Sequence, residues 1–179
     1  MRYIFLDRDG VINEDTGYVY RKEEYRILPR VVEAMKLLND NGYGIIVISN
    51  QAGIGRGLYT EAQMHSLHNH LEEILRKANV RIERFYFCPH HPEKGITEEY
   101  RRDCSCRKPE PGMILEAQKD FHIQDFSNCF FIGDKDSDIE AGKKAGCKTI
   151  LVNGRYETGS VKPDFTAENL YNAVTRIVL

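Results

Sequence analysis

Two acidic clusters hold most of the chemical potential of this 179-residue sequence, Asp7-Arg8-Asp9-Gly10 and Asp134-Lys135-Asp136-Ser137-Asp138. Each follows an apolar run, Tyr3–Leu6 in one case and Asn128–Ile132 in the other. Carboxylates at the exit of a buried strand cost free energy unless a cation or hydrogen-bond donors compensate them. Asp7, Asp9 and Asp134 could surround one hard cation, and carboxylates completed by water suit Mg2+. A cation held there would also neutralise a phosphate oxygen, which makes attack on phosphorus by a carboxylate, Asp7, feasible. The plainer readings are a polar turn at Asp7–Gly10 and a helix cap at Asp134–Asp138.

A second group is Cys88-Pro89-His90 with Cys104-Ser105-Cys106. Three thiolates and an imidazole in two close pairs suit a closed tetrahedral Zn2+ site. The pairs bracket a long irregular segment from Pro89 to Pro109, and one zinc would order it. That segment leads into Arg107-Lys108-Pro109, so the metal would fix the direction from which Arg107 and Lys108 approach a phosphate. Free thiols beside a fortuitous histidine are the alternative. His91 falls outside the paired spacing, and Cys129 and Cys147 are expected as small buried hydrophobes. His65, His68 and His70 are read as solvated surface, because no carboxylate or thiol accompanies them.

The elements that must position these groups alternate between strand and helix. After the first strand, Val11–Leu28 reads as a loop, and Pro29 opens a helix that Asn41-Gly42 stops. Gly44–Ile48 is a β-branched run without alternation, as expected of a strand buried on both faces, and it exits into Ser49-Asn50-Gln51. Gly53, Gly55 and Gly57 suggest a flexible turn before a helix capped by Thr60 and Gln63. Further strands are expected at Ile82–Phe87, Asn128–Ile132 and Thr149–Val152. Helices are expected from Pro111 to Phe121, from Ser137 to Ala145 with Gly146 as stop, and from Thr166 onward. This order predicts an α/β fold, a Rossmann-like and mostly parallel sheet with helices on both faces. One domain over 1–179 is expected, with no separate cap domain and with a zinc-tied loop. Ligands in such sheets bind beyond the carboxyl ends of the strands, where Asp7, Ser49 and Asp134 would meet.

Bulk properties narrow the partners. Lys and Arg number 25 against 27 Asp and Glu, giving a net charge of -2, so a polyanionic partner such as nucleic acid is not expected. No long apolar segment or basic leader is visible, which argues against a membrane. Five cysteines do not resemble a secreted disulfide framework, and a cytoplasmic location is expected.

Taken together, Asp7-Arg8-Asp9-Gly10, Ser49, Lys108 and Gly133-Asp134 with Asp138 resemble the four motifs of the haloacid dehalogenase superfamily of phosphatases. The resemblance covers most of the chain in the family's order. It implies that Asp7 forms an aspartyl-phosphate, and that Asp9 protonates the leaving oxygen and then deprotonates water. Ser49 and Lys108 would hold the transferring phosphoryl group. Mg2+ would be held by the side chains of Asp7 and Asp134 and the backbone carbonyl of Asp9, while Asp138 would orient a metal-bound water or Lys135.

The Cys-x-His and Cys-x-Cys pairs further resemble the histidinol-phosphate phosphatase group. Within it, Ser49–Gly57, Tyr59–Gln63, Cys106–Met113 and Ile132–Lys135 resemble the members that act on sugar bisphosphates. This implies loss of the C7 phosphate from a seven-carbon sugar bisphosphate, with the C1 phosphate retained. Asp15, Thr16, Gly17 and Tyr18 would line the substrate, as would Asn50, Gln51 and Ala52. Arg107 or Lys135 offers a charge-matched contact for the second phosphate. The expected partner is thus a small phosphorylated sugar, bound by a monomer. Histidinol phosphate is the alternative substrate, and a catalytically silent zinc module that binds phosphorylated ligands is the alternative of another class.

Overall fold

The computed structural model describes residues 2–153 and 161–179. Among them, six strands form one sheet in the order β3-β2-β1-β4-β5-β6, with every pairing parallel. The strands are β1 (Arg2–Leu6), β2 (Tyr43–Asn50), β3 (Arg84–Cys88), β4 (Phe130–Gly133), β5 (Lys148–Val152) and β6 (Phe165–Ala167). The helices are α1 (Val31–Asp40), α2 (Ala52–Gly55), α3 (Glu61–Lys77), α4 (Gly112–Asp120), α5 (Asp136–Ala145) and α6 (Leu170–Ala173), the last running on into a π-type turn.

Alternation along the strands divides the core in two, since successive side chains point to opposite faces. Ile4 and Leu6 of β1 join Ile45 and Val47 of β2 under α1, α3 and α6, where Met35, Leu38, Leu67, Leu71 and Val174 are buried. Phe5, Ile46, Ile48 and Phe131 face the other way, onto Met113, Ile114 and Ala117 of α4 and Ala141 of α5. Both faces are covered, which is why β2 reads as an unbroken apolar run.

Some expectations are corrected. Thr166 lies in β6, a three-residue edge strand, and the last helix starts after Asn169, whose side chain accepts from the Asn172 N–H. Gly53 and Gly55 sit inside the helical turn α2, and only Gly57 takes the left-handed conformation, φ 71°. Ser137 is inside α5, and it is Asp138 that accepts from the backbone N–H groups at its start. Cys129 precedes β4, although it is buried as expected.

Connections run outward from β1 through α1 to β2 on one side, and β4 pairs with β1 on the other. The strand order therefore reverses between β1 and β4, and the crevice beyond their carboxyl ends is where such sheets bind ligands.

Candidate active site

Asp7 leaves β1 with its N–H bonded to Ile132 O of β4 at 3.0 Å, so it faces Asp134 across the crevice. Both carboxylates are 4 % exposed. Burial foremost pushes the Asp7 carboxyl up to about 6, against the pull of Lys108. Burial, then Asp7, pushes Asp134 up to about 8. Asp134 Oδ1 is buried with no hydrogen-bond partner among the described residues. An orphaned carboxylate oxygen beside a second carboxylate is the donor set of a hard cation, so these residues fit Mg2+. Gly10 is required for this approach: its φ is 91°, and a Cβ there would meet Asp134 Oδ2 at 2.1 Å.

Lys108 enters the same point from the far end of the 89–109 segment. Its Nζ lies 2.7 Å from Asp7 Oδ1, 2.6 Å from Asp138 Oδ1 and 2.9 Å from Ile48 O. Burial opposes the ammonium, but Asp138 and Asp7 more than offset it and hold Lys108 above its usual range. Asp138 Oδ2 also accepts from the N–H groups of Asp134 and Lys135. Asp138 thus anchors Lys108 and the start of α5. A carboxyl oxygen of Asp138 does lie within 4.8 Å of those of Asp7 and Asp134.

The exit of β2 supplies clamps. The Asn50 amide receives Lys108 N–H and donates to Lys108 O, both at 3.0 Å, which fixes the lysine backbone. Gln51 Nε2 donates to Ser49 Oγ at 2.7 Å and to Asp9 Oδ2 at 3.1 Å. Asp9 is further held by Asn13 Nδ2 at 2.9 Å and by Arg8, whose Nη2 is 2.9 Å from Oδ2. Arg8, Asn13 and Tyr59, which donates to Gln51 Oε1 at 2.6 Å, carry no role in the motif resemblance. His68 is corrected from surface to core: it is 4 % exposed, and its ring contacts Arg8. The signal was present, because Met64, Leu67, His68, Leu71 and Leu75 form one helical stripe.

Cys88, His90, Cys104 and Cys106 converge, with one ligand atom from each within 4.8 Å of the others. Sulfur–sulfur separations run from 3.1 to 3.5 Å, and all five cysteines are free thiols. Zn–S bonds of about 2.3 Å give a tetrahedron with edges of roughly 3.8 Å, so the cluster fits zinc after slight opening. The hydrogen-bonding contact with Cys88, first of all, brings the Cys106 thiol down to about 5. Arg107 Nη1 donates to the carbonyl of His90 at 3.1 Å, which ties that guanidinium to the cluster.

Two adjoining cavities open here. The inner one, about 50 Å³, is bordered by Asp7, Asp9, Ser49, Lys108 and Asp138. The outer, about 700 Å³, is walled by the loop Asp15, Thr16, Gly17, Tyr18, by Asn50, Gln51 and Ala52, and by Arg107 and Lys135. All the sequence-based substrate contacts therefore share one cleft. Lys135 Nζ is 2.9 Å from Asp15 Oδ2. His91, set aside on spacing, also borders the cleft. Its Nδ1 accepts from the N–H groups of Glu93 and Lys94, which leaves Nε2–H as the donor.

The chain is similar to known phosphatases. A family model described as "HAD-hyrolase-like" matches residues 105–173. The chain is 42 % identical to the D-glycero-beta-D-manno-heptose-1,7-bisphosphate 7-phosphatase of Escherichia coli K12 over 85 % of this chain and 80 % of that one. It is 37 % identical to the D-glycero-alpha-D-manno-heptose-1,7-bisphosphate 7-phosphatase of Photorhabdus laumondii over 99 % and 97 %. The crystal structure of D,D-heptose 1,7-bisphosphate phosphatase from B. bronchiseptica, complexed with magnesium and phosphate, superposes with a TM-score of 0.84 at 28 % identity, covering 97 % of this chain and 96 % of that one.

Proposed function

This chain belongs to the D-glycero-D-manno-heptose-1,7-bisphosphate 7-phosphatase family of haloacid dehalogenase-type phosphatases, and on that premise we propose how its residues remove the C7 phosphate and leave the C1 phosphate in place. The observation that carries the reading is the meeting of Asp7, Asp134 and Lys108 at the floor of a cleft whose walls hold Arg107 and Lys135.

Asp7 attacks phosphorus, and the bond from phosphorus to the C7 oxygen breaks as Asp9 protonates that oxygen. Water then attacks the aspartyl-phosphate and gives its proton to Asp9, which restores both carboxyl groups. Ser49 Oγ already accepts from Gln51, so its own hydroxyl proton is directed to a phosphoryl oxygen. The three donors of Lys108 are met by Asp7, Asp138 and Ile48 O, so it acts on the phosphoryl group as a fixed positive charge. Asp7, Asp134 and the Asp9 carbonyl would hold Mg2+, which when bound offsets the negative charge of carboxylates and phosphoryl oxygens.

The retained phosphate is recognised by Arg107 and Lys135, with His91 Nε2–H as a neutral donor. Cys88, His90, Cys104 and Cys106 would hold a structural Zn2+, which when bound would order the wall carrying Arg107. In this reading the enzyme acts as a monomer. Free thiols in a ligand cluster suit a reducing cytoplasm. Among the described residues no helix is long and apolar enough to cross a membrane.

Phosphate release with Mg2+ is the test, run on the α and β anomers of heptose 1,7-bisphosphate, histidinol phosphate, fructose bisphosphate and a nucleotide. The expected result is preference for one heptose anomer, which the assay assigns. Preference for histidinol phosphate would reject the substrate, and inactivity on all would leave a phospho-ligand binding module.

A further inference from the structure

Arg8 is 1 % exposed, and a guanidinium so deep must have every edge accounted for. Its Nε and Nη2 grip the Asp9 carboxylate, with contacts to Oδ1 at 3.1 and 3.0 Å and to Oδ2 at 2.9 Å. Nη2 also donates to Val19 O at 2.9 Å and to Gln51 Oε1 at 3.3 Å. Among the described residues, the hydrogen-bond partner of Nη1 is His68 Nε2, at 3.2 Å.

A guanidinium can only donate, so His68 Nε2 must be the unprotonated nitrogen and the ring must be neutral with its proton on Nδ1. The ring is fixed by stacking on Phe85, with centroids 4.2 Å apart and planes 14° from parallel. Burial, and then Arg8 itself, hold the imidazole far below its usual range, at about 3. A leucine in this stripe would fill the space equally well. What it could not do is accept from Nη1, and a planar guanidinium released on one side is free to rotate about the carboxylate it holds.

We propose that His68 is a positioning residue, which through Arg8 holds the Asp9 carboxyl at the angle needed to protonate the leaving oxygen. The proposal rests on the assignment of Asp9 as acid and base. It concerns the step in which the ester oxygen takes the Asp9 proton as its bond to phosphorus breaks. That proton matters for an alkyl ester, whose alkoxide is a poor leaving group, and little for p-nitrophenyl phosphate, whose phenolate leaves as the anion.

The experiment compares kcat/KM for a primary alkyl phosphate that the wild type hydrolyses with kcat/KM for p-nitrophenyl phosphate, in His68→Leu and His68→Gln. For His68→Leu, the expected loss is about 10-fold or more on the alkyl ester and under about 3-fold on the aryl ester, a part of the range open to general acid catalysis. His68→Gln, whose amide oxygen can accept from Arg8, should recover the alkyl rate. Equal loss on both esters, or no loss on either, would overturn the proposal. Long-range 1H–15N NMR of the wild-type ring tests it independently of folding in the variants, since a proton on Nε2 would refute it. Asp9→Asn, run in parallel, should discriminate between the two esters more strongly. Failure there would reject the acid assignment on which the proposal rests, whereas discrimination by Asp9→Asn without discrimination by His68→Leu would reject the positioning role of His68 alone. Because any alkyl phosphate serves, the comparison stands even if no heptose bisphosphate is turned over.

Discussion

Lys108 Nζ stands 2.7 Å from Asp7 Oδ1 with both side chains almost wholly out of water, so the ammonium and the nucleophile are one electrostatic unit. Lys108→Met should leave Asp7 and Asp138 as uncompensated buried carboxylates, which costs about 3–5 kcal/mol in urea unfolding. It should also lower kcat by about 10²–10³. Asp7→Asn keeps an oxygen that can accept from Lys108, so it should abolish turnover without lowering the unfolding midpoint. Undiminished turnover in Asp7→Asn would reject the nucleophile.

Burial and then Asp7 push the Asp134 carboxyl up to about 8, so near pH 7 the metal-free protein holds a proton there. Because the folded pKa is raised, metal-free stability should be fullest below the unfolded value and decline as pH rises toward about 8. Mg2+ must displace that proton. Calorimetry in buffers of different ionisation enthalpy should therefore show release of about one proton near pH 7, vanishing well above pH 8. Asp134→Asn should show none.

Zinc should matter more for recognition than for chemistry. Arg107 hangs on the carbonyl of His90, whereas the Lys108 backbone is clamped independently by Asn50. Cys104→Ser should lower zinc content and raise KM for a bisphosphate more than it lowers kcat. Full activity in a zinc-free variant would dismiss the loop-ordering role. In chelated protein the lowered Cys106 thiol should be the first alkylated by iodoacetamide, and added zinc should protect it.

His68 makes acid stability legible. Its folded pKa is depressed to about 3 by burial and then by Arg8 and His65, so the unfolded chain binds the extra proton. Stability from this site is complete above about pH 6.5 and falls as pH drops toward about 3, with a loss of about 2 kcal/mol at pH 5. The difference in unfolding free energy between wild type and His68→Gln, followed from pH 7 to 5, should change by about that amount. A flat difference would show that the ring is already protonated or already exposed.

Much of this was readable from residue order. β1, β2 and β5 announced themselves because strands covered on both faces are apolar without alternation, and Thr60 with Gln63 forms the capping box expected of it. β6 escaped because three residues at a sheet edge carry no period, and Thr166 is as ordinary in a strand as at a cap. Residue type alone reads His68 as surface, whereas its helical spacing places it in the buried stripe.

The sequence alone determined which groups are present and at which strand ends: Asp7 and Asp9 after β1, Ser49 in the last residues of the β2 run, Asp134 after β4, and four zinc-type ligands in two pairs. Those facts are local, because a strand's length and apolarity dictate where its polar exit falls. Only the tertiary structure decided that Asp138 serves Lys108, that Asn50 and Gln51 act as clamps as well as lining the cleft, and that His68 backs Arg8. Such partnerships join residues as many as 60 positions apart, and the packing of α3 and the 89–109 segment against the sheet chooses them.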